Sequence, residues 1–268
     1  MITADNIGYK IRNNIILENV SAQIENGKIT AIIGPNGAGK TTLLKCLTGA
    51  YHPNAGVIKL DDKPLAHYSL DILSRKRAVL SQSNPINFPF TTLEIVMMGR
   101  NPYVKNNAAA NDIEVALAAL ESVDALHLKE RIFPTLSGGE QQRVQLARVL
   151  AQLWEQENAY LFLDEPTSAL DLKHQHQFLS LVCQLAQERQ FAVSIIMHDL
   201  ALAMRYTDHV LLLKNGKLFA AGLPLEVIHA KNIENVFEVP ADFVFDNRVF
   251  ESSRFTKRNE KPTQKQYL

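Results

Sequence analysis

The stretch that most constrains this chain is "GPNGAGKT", which runs from Gly34 to Thr41. It fits the pattern G-x-x-x-x-G-K-[ST], follows the apolar run "ITAII" and opens a segment with helical periodicity. Glycines let a backbone curl so that successive N–H groups point at phosphate oxygens. The sequence therefore predicts a buried strand, a phosphate-binding loop and a helix, rather than an ordinary glycine turn. The predicted phosphate-binding residues are Gly34, Pro35, Asn36, Gly37, Ala38, Gly39, Lys40, Thr41 and Thr42.

A second motif supplies the acidic partner of such a loop. The apolar run "YLFL" ends in Asp164 and Glu165. Lys40 can reach the β- and γ-phosphates of a nucleotide, and the Thr41 hydroxyl is placed to hold Mg²⁺. Asp164 can bind Mg²⁺ directly or through water, while Glu165 can polarise a water for attack on the γ-phosphate. Adjacent acids are also common in solvated turns, and the preceding phosphate loop is what favours the catalytic interpretation.

The stretch "TLSGGEQQRVQLARVL" predicts a second anion site. Ser137, Gly138 and Gly139 open a helix with one apolar face. A serine and bare backbone amides at a helix N-terminus offer hydrogen bonds and the positive end of the helix dipole to an anion. The chain thus carries two phosphate-type sites about a hundred residues apart. The apolar face consists of Leu136, Val144, Leu146, Ala147 and Leu150.

The charge balance argues against one class of function. Lys plus Arg number 28 and Asp plus Glu number 28, so the global charge gives no sign of nucleic-acid binding and no such partner is expected. The start "MITADNIGYK" lacks the pattern of a signal peptide, and no apolar run approaches the ~18 residues of a membrane span. We expect a cytosolic chain or a peripheral partner of a membrane, with Cys46 and Cys183 as reduced, buried thiols.

Alternating strand and helix patterns predict a mostly parallel α/β sheet. Strand patterns dominate both ends of the chain, and helical periodicity dominates its middle. We expect a core with a β-subdomain over residues 1–84 and 154–250, a helical subdomain over 85–153 that carries the Ser137 motif, and a polar tail over 251–268. The composition of the tail predicts a solvated segment, with contact to anionic lipid headgroups as the alternative.

The order and spacing of "GPNGAGKT", "LSGGEQQRVQLAR", "LFLDEP", "SALD" and "SIIMHDL" resemble those of ABC-transporter ATP-binding subunits. The resemblance implies an α/β P-loop NTPase fold with a RecA-like, mostly parallel core, an N-terminal antiparallel β-subdomain and an inserted helical subdomain. It also implies an ATPase that uses ATP and Mg²⁺. A head-to-tail homodimer is implied as well, in which Ser137, Gly138 and Gly139 of one copy close over the ATP on the phosphate loop of the other.

The same resemblance assigns roles to four further residues. It implies that Tyr9 stacks on adenine, that Gln82 senses Mg²⁺ and the attacking water, and that His198 contacts the γ-phosphate. Asp171 would lie in the loop that crosses the dimer interface. Without the family context, Tyr9 would be a packing residue, Gln82 a solvated loop residue and His198 a structural histidine.

Two histidines in "LKHQHQ" stand apart from these motifs. His174 and His176 are two residues apart, so on a helix they do not share a face. We expect exposed helix histidines rather than joint metal ligands. Four apolar residues near the start of the predicted helical subdomain are expected either to dock a permease helix or to pack the core of that subdomain. They are Phe88, Phe90, Met97 and Met98.

The segment "NPINFPFTTLEIVMMGRNPY" resembles the family's importers of iron chelates, heme and vitamin B12, and "LAQLWEQENAYLFLDEPTSALDLKHQHQFL" is most similar to those of hemin. The resemblance implies a peripheral subunit on the cytoplasmic face of the inner membrane. It would energise uptake of heme through two copies of a permease, with a periplasmic or extracellular substrate-binding protein as an indirect partner. Ferric siderophore and vitamin B12 are the alternative cargoes, and a soluble ABC regulator or scaffold is the alternative of another class.

The head-to-tail arrangement yields a first prediction. Ser137→Arg places bulk and charge where the partner's γ-phosphate would bind, so ATP should no longer close the dimer. Light scattering in the presence of ATP measures the closure. A variant that dimerises like the wild type would contradict the predicted role of Ser137.

Overall fold

A computed structural model of the chain describes residues 1–81, 86, 88–106, 109–168 and 170–240. Its strands are β1 (Ile2–Ile11), β2 (Asn14–Ile24), β3 (Ile29–Ile33), β4 (Ala55–Leu60), β5 (Lys63–Pro64), β6 (Arg77–Leu80), β7 (Tyr160–Asp164), β8 (Ala192–Ile196), β9 (His209–Lys214) and β10 (Lys217–Gly222). Its helices are α1 (Lys40–Leu47), α2 (Leu70–Lys76), α3 (Thr92–Met97), α4 (Ala109–Ser122), α5 (Gly138–Leu153), α6 (Leu172–Arg189), α7 (Leu200–Tyr206), α8 (Pro224–Val227) and α9 (Ala230–Phe237). Short 3₁₀ turns cover Leu65–His67, Met98–Asn106, Leu126–Leu128 and Phe133–Thr135.

The larger sheet has the strand order β10-β9-β3-β8-β7-β6. The neighbouring pairs from β9 to β6 are parallel, and β10 pairs antiparallel with β9. Strands β3 and β8 are buried along their whole length, as expected for a parallel sheet that is covered on both faces. The carboxyl ends of β3, β7 and β8 therefore meet at one edge of the sheet.

The smaller sheet is antiparallel, with the order β2-β1-β4-β5. Its buried face and one face of the larger sheet form a single hydrophobic core with α1. Leu43, Leu44 and Leu47 of α1 lie in that core. The helix that follows the phosphate loop is thus fixed by apolar contacts to both sheets.

Helices α3, α4 and α5 come between β6 and β7 in the chain. Thr91 begins α3 with a capping box in which its side chain and that of Glu94 satisfy each other's backbone N–H groups. The buried face of α5 includes Val144, Leu146 and Leu150, as the sequence predicts. No helix in the described part of the chain combines the length and the apolar character that a bilayer span requires.

The predicted fold class is confirmed, with a mostly parallel core, an N-terminal antiparallel sheet and an inserted group of helices. Cys46 and Cys183 are buried, as expected. Helix α2 was not predicted from the sequence, because Leu73 is its one buried residue and its periodicity is correspondingly weak. Residues 241–268, which include the predicted tail, lie outside the described residues.

Arg100 holds the inserted helices together. Its side chain is 2% exposed and donates to Asp112 Oδ1 over 2.8 Å and to the Ala151 carbonyl oxygen over 2.7 Å. Its two terminal nitrogens also donate to Glu155, over 2.9 and 2.6 Å. A bidentate, charge-assisted arrangement of this kind needs the planar guanidinium of arginine. Arg100 therefore ties the 3₁₀ segment Met98–Asn106 to α4 and α5.

This network yields a stability prediction. Arg100→Ala leaves the buried Asp112 carboxylate without its cation, so we expect a loss of about 3–5 kcal/mol in the free energy of unfolding. Urea denaturation measures the change. Lys217→Ala is the matched control, because Lys217 pairs with Glu18 at 3.1 Å while 60% exposed, and an exposed pair contributes about 0–1 kcal/mol. Equal losses in the two variants would show that the Arg100 network does not stabilise the fold.

Candidate active site

The phosphate loop connects β3 to α1 through three glycines with positive φ. Gly39 has a φ of +98°, and a Cβ there would lie 2.8 Å from Leu17 Cδ2. Gly37 has a φ of +77°, with open space where its Cβ would be. Gly39 caps α1 with no side-chain hydrogen bond, and the first turn of α1 holds no acidic residue. The N–H groups of this turn and the positive helix end are therefore directed at the loop, as an anion requires.

Lys40 projects into the curl of this loop. Its ammonium donates to the carbonyl oxygens of Gly34 and Pro35, over 2.8 and 2.9 Å. Burial lowers the pKa of Lys40, and the nearby Glu165 and Asp164 carboxylates oppose that shift. A buried cation inside a ring of backbone N–H groups can neutralise phosphate charge. Thr41 and Thr42 follow in the first turn of α1, and both are half-buried.

Strand register brings the acidic motif and the histidine to the same edge as this loop. Asp164 pairs with Ile196, and Ile196 pairs with Ile32. Glu165 therefore follows β7 at the level where the phosphate loop follows β3. His198 follows β8 at that level too. The sheet thus brings together the phosphate-loop residues, Asp164, Glu165 and His198, which are far apart in sequence.

Asp164 has the features of a cation ligand. Its Oδ1 atom is buried and has no hydrogen-bond partner among the described residues. Burial raises the pKa of Asp164, and the neighbouring Glu165 carboxylate adds to the shift. A buried carboxylate oxygen without a donor is costly unless a cation supplies the missing interaction. Mg²⁺ prefers one or two carboxylates together with phosphate oxygens, so Asp164 beside the loop and the Thr41 hydroxyl fits that ion.

Glu165 and His198 form a close pair. His198 Nε2 lies 2.6 Å from Glu165 Oε1. The Glu165 side chain is 18% exposed and that of His198 is 46% exposed, so the pair borders solvent. Glu165 has a φ of +49°, an uncommon conformation for a residue other than glycine. An oriented carboxylate at the mouth of a phosphate site can accept a proton from an attacking water.

The helix tip predicted as the second anion site is capped by its own chain. Ser137 is the N-cap of α5, and Glu140 Oε2 accepts from its backbone N–H over 2.7 Å and from its hydroxyl over 2.8 Å. These bonds from Ser137 lower the pKa of Glu140. Gly138 and Gly139 form the first turn behind the cap. Sequence reasoning missed Glu140, although the S-x-x-E spacing of a capping box could have identified it.

The remaining predicted residues have different surroundings. Tyr9 is half-buried on β1 and its ring stacks on Tyr51, with centroids 5.2 Å apart and planes 6° apart, so its contact with adenine stays a prediction. Gln82 lies outside the described residues. Asp171 is the N-cap of α6, and its side chain accepts from the backbone N–H of His174. Its place at a dimer interface also stays a prediction.

The two histidines of α6 are less exposed than expected, and their rings contact different partners. His174 Nδ1 lies 2.8 Å from Asp171 Oδ1, and His176 Nδ1 lies 2.7 Å from the Tyr206 hydroxyl. Both side chains are half-buried, because a loop carboxylate and α7 cover them. Among the four apolar residues, Phe88 is 64% exposed. The other three pack partly against the core, in line with the expectation that some of the set is interior.

These features define the class of the protein as a P-loop ATPase, with a phosphate loop and two adjacent carboxylates at one sheet edge. The ABC transporter family profile matches residues 17–168, more than half of the chain. The chain belongs to the ATP-binding proteins of this family. The prediction of a transport ATPase is thereby confirmed, and cassettes of this family form dimers and work with membrane permeases.

Individual relatives show which members of the family this chain resembles. The hemin import ATP-binding protein HmuV of Escherichia coli O157:H7 is 46% identical over 230 residues, which cover 85% of this chain and 88% of that protein. A solved structure described as an inward-facing, metal-chelate type ABC transporter has a TM-score of 0.75 at 29% identity, over 89% of each chain. A dimeric cassette bound to ADP and Pi has a TM-score of 0.71 at 27% identity, over 84% of this chain and 99% of that one.

Asp164 yields a prediction on stability and pH. A raised pKa means that folding disfavours the ionised carboxylate, so Asp164→Asn should increase the free energy of unfolding of the nucleotide-free protein at neutral pH. The difference should disappear below the ordinary value of 3.8, where the folded and unfolded wild type are both protonated. It should grow as the pH rises from there through the raised pKa of the folded state.

Denaturation series at several pH values measure this difference. Asp124→Asn is the matched control, since Asp124 is 92% exposed and its positive φ suits asparagine equally well. A gain at neutral pH that is the same for both variants, or one that persists in acid, would contradict the assignment of Asp164 as a strained, buried carboxylate.

Proposed function

We propose that this chain hydrolyses MgATP to energise the import of hemin through a membrane permease. The main support for ATP hydrolysis is the Glu165–His198 pair, in which Glu165 Oε1 and His198 Nε2 are 2.6 Å apart. The pair lies on the sheet edge that also bears the phosphate loop. The 46% identity to a hemin import ATP-binding protein supports the cargo. No residue described here selects that cargo, since the site we describe is built for phosphate.

Each residue of the site has a defined task. Lys40 and the N–H groups of the loop bind the β- and γ-phosphates, and the Thr41 hydroxyl and Asp164 would hold Mg²⁺, which neutralises charge on the phosphate oxygens. Glu165 orients the attacking water and accepts its proton. His198 donates from Nε2 to Glu165 and so fixes the direction of the carboxylate. By resemblance, Gln82 completes the contacts to water and Mg²⁺, and Tyr9 stacks on adenine.

The assembly we propose is a head-to-tail homodimer. Ser137, Gly138 and Gly139 of one chain meet the γ-phosphate bound by the other, and Asp171 lies at the interface. The dimeric relative with ADP and Pi supports this arrangement. The dimer would sit on two permease copies at the cytoplasmic face of the inner membrane, with a substrate-binding protein acting on the other side. Residues 85–153 would move as the helical subdomain against a core of 1–84 and 154–250, with 251–268 as a tail.

Ferric siderophore is the second candidate cargo, because the inward-facing neighbour is described as metal-chelate type. Growth of iron-starved cells that carry the chain and its permease separates the two. We expect hemin to restore growth with the wild-type chain and not with Glu165→Gln. Growth restored by siderophore alone would reassign the cargo. If growth on neither compound requires the chain, a role as a regulator or scaffold without transport would replace this proposal.

The catalytic part yields its own prediction. Glu165→Gln keeps the shape of the side chain and removes its basic oxygen, so hydrolysis should fall by about 10²–10³ while ATP binding persists. The variant should accumulate as a closed dimer in MgATP, seen by size-exclusion chromatography. Glu114→Gln, an exposed acid on α4 that is remote in sequence from the site motifs, is the control and should turn over normally. Near-normal turnover by Glu165→Gln would remove the general base from this mechanism.

A further inference from the structure

His174 is fixed at the start of α6 by the carboxylate of Asp171. Asp171 Oδ1 accepts from the backbone N–H of His174 over 2.9 Å and lies 2.8 Å from its ring Nδ1. These bonds lower the pKa of Asp171, so the carboxylate is ionised and can only accept. Nδ1 is therefore the protonated ring nitrogen. The imidazole is held to the N-cap residue at two points and cannot turn freely.

The other side of the same ring faces the tip of α5. A Cβ added to Gly139 would lie 3.5 Å from His174 Cγ, which is van der Waals contact. The ring thus lies one methyl group away from the backbone of the turn that follows Ser137. His174 is the point at which α6 approaches the helix tip that we propose to meet the partner's ATP.

Hydrogen bonds also hold the segment that follows Glu165, in part to the first turn of α6. The Glu165 carbonyl oxygen accepts from the backbone N–H of Ser168 over 3.3 Å and from its hydroxyl over 3.0 Å. The Thr167 carbonyl oxygen accepts from the Leu170 N–H over 3.2 Å and from Gln175 Nε2 over 3.1 Å. The described residues on either side of position 169, 165–168 and 170–171, are therefore held by hydrogen bonds among themselves and to the first turn of α6.

Beyond this contact, α5 and α6 border a cavity of about 530 Å³. Its lining runs along α6 from His174 to Gln184 and along α5 from Gly139 to Leu146. Space of this size lets the two helices change their separation without a clash. At one end of this cavity His174 approaches the α5 tip.

From this geometry we propose that His174 is a positioning residue that couples the Ser137–Gly139 tip of a chain to that chain's own Glu165. Closure of the tip over the partner's ATP moves the imidazole, and the imidazole moves Asp171 and the segment that leads back to Glu165. The two nucleotide sites of the dimer are thereby linked within each chain. The inference rests on the proposed head-to-tail function. It gives a role to one of the histidines that the sequence left as a surface residue.

Two substitutions separate the two contacts of the ring. His174→Asn keeps an N–H donor for Asp171 but lacks a ring to contact Gly139. His174→Phe keeps a ring but cannot donate. Because the coupling needs both contacts, we expect kcat for ATP hydrolysis to fall by about 10- to 100-fold in each variant. A loss of this size is what a small displacement of a catalytic group costs. The KM for ATP and the thermal midpoint should stay at the wild-type values. Gln187→Ala, at an exposed position on the same helix outside the cavity lining, should leave all three unchanged.

Purified full-length protein serves for these measurements, together with ATP-driven closure of each variant in the Glu165→Gln background, which should be retained. A wild-type kcat in His174→Asn would show that the residue acts only through its hydrogen bond to Asp171. A wild-type kcat in His174→Phe would show that it acts only through the packing of its ring. A fall in kcat that comes with a lower thermal midpoint and lost closure would mark a structural role. Each of these three results overturns the coupling and leaves the proposed function intact. A wild-type chain without ATPase activity overturns both.

Discussion

The parallel pairing of β3, β7 and β8 is the constraint on which the site depends. The register Ile32–Ile196–Asp164 sets three strand ends at one level, and the phosphate loop, Glu165 and His198 begin from those ends. A register shift of one residue would exchange the two faces of a strand and turn Asp164 away from Lys40. Apolar packing of β3 and β8 on both faces fixes that register. The hydrophobic core therefore fixes the positions of these charged groups, whose own interactions would not be enough to do so.

Those charged groups are themselves unfavourable for folding. Burial lowers the pKa of Lys40 and raises that of Asp164, so each is shifted toward its neutral form. Their mutual attraction offsets only part of this cost, since Asp164 Oδ1 still has no donor among the described residues. The positive φ of Glu165 adds backbone strain at the same place. Phosphate and a cation would relieve these penalties, so ligand binding should stabilise the site more than its contacts alone suggest.

The sequence predicts those parts of the site whose geometry is local. A glycine loop between a buried strand and a helix, and an acid pair at a strand end, each imply their own conformation, and both were placed correctly. Contacts between segments that are distant in the sequence could not be predicted from local patterns. The stacking of Tyr9 on Tyr51 joins β1 to the segment after α1, and the contact of His174 with Gly139 joins two helices that no periodicity relates. Helix α2 escaped detection because one buried leucine leaves almost no pattern.

In the proposed head-to-tail dimer, the phosphate-binding groups are divided between two parts of the chain, and this division is the reason for a second copy. The loop offers the buried ammonium of Lys40, with the Asp164 carboxylate beside it for a cation, whereas the α5 tip offers backbone amides and a hydroxyl that Glu140 already caps. Neutral donors of that kind bind a phosphate weakly by themselves, so the tip can engage a nucleotide that is already held and release it again. The tip also stands on helices inserted between β6 and β7 and held together by Arg100, apart from the rigid strand edge. In the proposed dimer, an anion between the edge of one chain and the tip of another would be held most strongly while it carries its full charge. Loss of the γ-phosphate would weaken that contact, because the tip contributes neutral donors and no formal charge.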